Sequence, residues 1–171
     1  ESILQGIYPS FVLSDRVMFF RPRAQSVCTG SAAEPVQRLM QAPGEVGGHP
    51  VVALLDGLPM ANHLLLDRRL VIDDPDGWAS SYAVKDRVHG TAMASLILHG
   101  DLGEPGTPLT RPVYVRPILR PDIRDTQPRR AECTPDDQLL IDLMHRAVRR
   151  LFEREEDEPP IAPSIKVINL S

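Results

Sequence analysis

Cysteine is scarce. The 171 residues hold two, Cys28 and Cys133, with no Cys-x-x-Cys and no Cys/His spacing around them. That excludes a disulfide framework and a cysteine-based metal site. One bridge between the two is open; two free thiols in a reducing compartment are the expectation. Long apolar runs are also lacking. None approaches the roughly 20 residues that cross a bilayer, and no signal peptide is visible. The expectation is a cytoplasmic protein without a membrane partner. There is no excess of positive charge either. The formal net charge is −4, so no global field draws in nucleic acid or anionic lipid. Arginines cluster locally (Arg21, Arg23; Arg129, Arg130; Arg146, Arg149, Arg150), but acids stand among or after them. These clusters read as solvated mixed surface, and no nucleic-acid partner is expected.

What is present suits one domain with a real core. Apolar residues make up 42% and charged residues 25%. The 17 prolines are roughly twice the usual share of about 5%. They lie outside the periodic segments and imply long ordered loops. Residues 1–49 are weakly patterned. Phe11-Val12-Leu13 and Val17-Met18-Phe19-Phe20 are possible strands, and a short helix near Pro35–Met40 is possible. Gly44, Gly47 and Gly48 mark a lead-in or linker. The periodic part, residues 50–171, reads as a separate unit. The chain starts at Glu1 and ends inside an apolar run, so a piece of a longer chain is expected.

Val51–Leu55 is a continuous apolar run ending in Asp56-Gly57. It suits a parallel strand covered on both faces. Leu70-Val71-Ile72 is a second strand, followed by a turn at Asp73–Gly77. His89–His99, small and apolar nearly all round, reads as a buried helix closed by Gly100. Val113–Leu119 is a third strand, and Pro117 within it predicts an edge or a bulge. Residues 120–133 read as a charged loop. Thr134-Pro135-Asp136-Asp137 predicts a capped helix start. That helix runs to Phe152 on a stripe of Leu139, Leu140, Leu143, Met144, Ala147, Val148, Leu151 and Phe152. Glu153–Glu158 is a solvated acidic link, and Ile165–Leu170 is a final buried strand. Apolar runs joined by helical crossovers predict an α/β fold, a mostly parallel sheet with helices on both faces.

Two residues stand out chemically. Asp56 ends a buried strand, where the crevices of open α/β sheets lie; a turn-capping role is equally open for it. His89 opens an apolar helix, whose positive N-terminal end disfavours an imidazolium unless an acid compensates. A nearby Asp would fix its tautomer; a purely structural His is the competing reading.

Val-Ala-Leu-Leu-Asp-Gly at 52–57, followed by His-Gly-Thr-Ala-Met-Ala at 89–94, resembles the subtilisin-like (subtilase) serine peptidase family. Its Asp motif is an apolar strand, Asp, usually Ser or Thr, then Gly. Its His motif is His-Gly-Thr-x-Val-Ala. Val167–Ser171 is similar to the family's cleft-lining strand, commonly Val-Ile-Asn-Met-Ser. The three matches keep the family's order and cover about residues 50–171. Gly57 directly after Asp56 and Met93 in place of Val are departures, and the charged 120–133 segment suggests a divergent branch. The resemblance implies a subtilisin-like fold, Asp56 and His89 as catalytic residues, and Ser171 in the substrate-binding cleft. It also implies a peptide or protein substrate. The family's Gly-Thr-Ser nucleophile motif is absent from the chain. The remainder of a catalytic domain downstream of Ser171 is therefore an expected partner, and the chain alone is expected to be inactive. Ser80 and Ser81 read as turn residues. His63, in a segment similar to the family's Asn-His-Pro type, reads as structural; His99 closes the first helix, His145 faces solvent beside the apolar stripe, and His49 lies in the Gly-rich lead-in. No cofactor or metal is expected. Calcium at Asp73, Asp74 and Asp76 is the remaining option that the resemblance raises. Two rivals stand beside the protease: a peptide-binding pseudoprotease of the same fold, and an unrelated α/β binding domain in which Asp56 and His89 are not neighbours.

Overall fold

The computed structural model describes residues 45–102, 106–155 and 157–171. The strands and helix expected within 1–40, and Cys28, lie outside them. Four parallel strands form the central sheet: β1 (Val52–Asp56), β2 (Leu70–Ile72), β3 (Val113–Pro117) and, last in the chain, β6 (Val167–Leu170). Their order across the sheet is β2-β3-β1-β6. Helix α1 (Val88–His99) joins β2 to β3, and α2 (Leu140–Phe152) joins β3 to β6. A small antiparallel pair, β4 (Arg120–Pro121) and β5 (Glu132–Cys133), stands apart from the sheet.

Alternation along β1 shows why its run is apolar throughout. Leu54 points to one face, with Leu66, Ala94, Leu98, Val113 and Val115. Ala53 and Leu55 point to the other, where Tyr114, Ala147 and Leu151 cover them. A strand buried on both faces has no polar side to display, and each face carries one helix. The connection leaving β1 brings Leu66 onto the α1 face, while β3 exits through α2 on the opposite face. Neighbouring strands whose connections diverge in this way open a crevice at their C-terminal ends. Asp56 ends β1 there, level with Pro117.

Several local expectations need correction. Pro117 marks neither an edge nor a bulge: β3 lies between β2 and β1, and the proline ends the ladder. The edges are β2 and β6, where Val71, Ile72, Val167 and Leu170 are exposed. Helix α1 is not buried all round. Val88 and Leu96 reach solvent, while Gly90, Thr91, Ala94, Ser95, Leu98 and His99 pack inward. Helix α2 starts at Leu140, not after Thr134. Pro135–Gln138 closes a single turn, because Asp136 pairs with Arg124 and Asp137 with Arg120. The acids thus serve the β4–β5 arginines and not a helix dipole. Its apolar stripe is narrower than expected, since Leu139 and Phe152 are exposed. The charged 120–133 loop is an ordered hairpin. The backbone N–H, Nε and Nη2 of Arg130 all donate to the buried Asp86.

Candidate active site

The crevice brings Asp56 and His89 together. Asp56 is 0% exposed, and the His89 side chain 29%. His89 Nδ1 lies 3.1 Å from Asp56 Oδ1 and 2.9 Å from Oδ2. With a carboxylate opposite, Nδ1 carries the proton and donates, and Nε2 is the nitrogen left with the lone pair. His89 sits in the first turn of α1, and the acid that its location demands is Asp56.

The residues after each partner make the encounter possible. A Cβ on Gly90 would overlap the carbonyl of Gly57, so α1 approaches the β1 turn more closely than any side chain allows. Thr91 then locks the approach: its Oγ1 accepts from the Met60 N–H at 2.9 Å and donates to the Arg87 carbonyl at 2.5 Å. On the other strand, the Ile118 N–H donates to the Asp56 carbonyl at 2.9 Å. His89, Gly90 and Thr91 therefore each hold a different part of the segment from Asp56 to Met60. The separated-residue rival does not fit this geometry.

No protein-family model, curated protein or solved structure matches the chain. The site rests on its own geometry.

Ser171 follows Leu170, the partner of Leu55. Continued by one residue, that register sets it level with Asp56 at the same sheet end. Its hydroxyl donates to Asn169 Oδ1 at 3.0 Å. Ser80 and Ser81 bond back to the Gly77 and Trp78 carbonyls, as turn residues do. His63 caps its own turn, accepting at Nδ1 from the Leu65 N–H. His99 closes α1 and donates from Nε2 to the Leu65 carbonyl at 2.9 Å. The three candidate calcium carboxylates are engaged elsewhere. Asp73 binds Tyr114 and Arg150, Asp76 binds Arg116 and Arg146, and Asp74 accepts from the Trp78 and Ala79 N–H groups. Among the described residues no group of three or more His, Cys, Asp or Glu could hold a metal ion. No helix among them is long and apolar enough to cross a membrane. Cys133 lies in β5.

Two site residues escape sequence reading. Glu132, in the segment read as a loop, is 4% exposed and packs against Gly57 so tightly that a Cβ there would overlap its carboxyl. The Tyr82 hydroxyl lies 2.6 Å from Glu132 Oε1 and 2.8 Å from the Leu119 carbonyl. Burial pushes the Glu132 carboxyl up to about 7, against the opposing hydrogen bond from Tyr82; the charges of Asp56 and Asp86 add to the rise and Arg129 opposes it. Burial, with the Glu132 charge, also holds the Tyr82 phenol above its ordinary range. Asp86 goes the other way. Burial raises it, but the N–H, side chain and charge of Arg130 outweigh this and hold it below its usual value.

Proposed function

We propose that the chain supplies the Asp and His of a subtilisin-like serine endopeptidase, with the nucleophilic Ser provided by sequence that follows Ser171. The Asp56–His89 hydrogen bond at the switch-point crevice carries this reading. Such a pair is the base half of a charge-stabilised triad. His89 Nε2 takes the hydroxyl proton of the Ser as its oxygen attacks the scissile carbonyl, and returns that proton to the leaving amine. Asp56 holds the tautomer and stabilises the imidazolium while His89 carries the proton. Its burial strengthens that interaction, because little water competes for the carboxylate. The end of β6, with Ser171, would form one wall of the substrate cleft. A peptide is the substrate class this chemistry serves.

Fluorophosphonate labelling tests the proposal. A chain extended past Ser171 should be labelled at a Ser, and His89→Ala should lower its labelling rate and peptidase kcat by a factor of at least about 10³. The 171-residue chain should take no label. A folded extended chain that takes none would sink the reading and leave a pseudoprotease.

A further inference from the structure

We infer that Glu132 is a positioning residue for the Asp56–His89 pair: as the neutral acid it donates its proton to the Tyr82 hydroxyl, fills the space beside Gly57, and fixes the turn that carries Asp56 without adding a second negative charge there. This rests on the proposed reading of Asp56 and His89 as a working pair.

Counting protons at Tyr82 carries the argument. The phenolic oxygen has one proton and two oxygen neighbours within hydrogen-bond distance, the Leu119 carbonyl and Glu132 Oε1. A carbonyl can only accept, so the phenol proton belongs to Leu119. The second short contact then needs a proton from Glu132. With Glu132 protonated, the phenol donates to Leu119 and accepts from Glu132, and both short contacts are satisfied. With Glu132 ionised, two acceptors compete for one proton in a buried site, and one is left unpaired. The elevated affinity of this carboxyl for its proton agrees with the count.

Position gives the cluster its consequence. Tyr82 precedes α1, Leu119 follows β3, and Glu132 is in β5, its carboxyl packed against Gly57. One hydrogen-bonded group therefore ties together the segments that meet at Asp56. The charged and titratable groups acting on Glu132 are Tyr82 from the turn before α1, Asp56 from β1, Asp86 with its partner Arg130, and Arg129 from the hairpin. Gly57 directly after Asp56, without the intervening Ser or Thr of the resembling family, leaves room for the carboxyl.

NMR of the 171-residue chain tests this without a nucleophile. With ¹³C-carboxyl glutamate, one side-chain signal should titrate near pH 7 and vanish in Glu132→Gln. The imidazole proton that His89 shares with Asp56 should shift with the same midpoint in the wild type. In Glu132→Gln, which keeps shape and neutrality, that midpoint should be lost and the signal retained. Glu132→Asp, one methylene short of Tyr82, should broaden or lose it. A Glu132 carboxyl titrating in the ordinary glutamate range, or a His89 proton indifferent to Glu132→Asp in a folded chain, would overturn the inference. Neither readout depends on fluorophosphonate labelling, so failure here is separable from failure of the protease reading.

Discussion

A side chain at position 90 would meet the Gly57 carbonyl, and that carbonyl belongs to backbone pinned on both sides. The Ile118 N–H holds the residue before it, and Thr91 holds Met60 beyond it. Gly90→Ala should therefore act as overpacking and destabilise the fold by about 1–3 kcal/mol, read as a lowered urea midpoint. At position 132 the effect depends on pH. The carboxyl's affinity for its proton rises from 4.5 in the unfolded chain to about 7 in the fold. Between these values the folded chain holds more protons than the unfolded one, so stability falls as pH rises through the window. The fall should approach about 3 kcal/mol, complete above pH 7. Glu132→Gln should flatten it when urea midpoints are compared from pH 4 to 8. The carboxylate of Asp56 and the imidazole of His89 were legible because one closes an apolar segment and the other opens one. Glu132 was not, since its partner Tyr82 lies 50 residues away.

At the scale of elements, β2 and α1 keep their expected bounds to within a residue, because hydrophobic period and the closing Gly100 are local signals. Gly100 takes φ 70, a left-handed turn that only glycine adopts readily. The start of α2 was misread, since Thr-Pro-Asp-Asp has a helix-capping composition that the hairpin arginines claim instead. The hairpin itself depends on Asp86. Its carboxylate is buried and accepts three bonds from Arg130. Asp86→Ala should cost about 3 kcal/mol, the low end for breaking a buried pair, because Arg130 keeps some water. It should also speed tryptic cleavage at Arg124, Arg129 and Arg130. The pH sign is opposite to that of Glu132. This carboxyl is held below 3.8, so its contribution is present above that value and lost as pH falls through the folded-state one.

For the molecule as a whole, the sheet order sets what the site can be. The connections leaving the neighbouring strands β1 and β3 run over opposite faces, and the crevice opens where they part. Each helix covers one face of the sheet. Leu151 is fully buried against Ala53 and Tyr114, on the side away from α1 and His89. Leu151→Ala should cost about 2–5 kcal/mol in urea unfolding while leaving the His89 imidazole proton signal in place in the folded fraction. Loss of that signal at unchanged fold content would mean that the faces are coupled.

By itself the sequence determined the four sheet strands, a helix on each face, and Asp56 and His89 as candidates whose meeting only the resemblance implied. Periodicity records which side of a segment is buried, and residues at segment ends inherit their place from it. Tertiary structure alone decided that β3 lies inside and β6 at the edge. It also decided that the 120–133 segment is a hairpin, and that Glu132 is wedged against Gly57, next to Asp56. Those outcomes depend on which distant segments share a space, and burial patterns carry no record of the neighbour's identity.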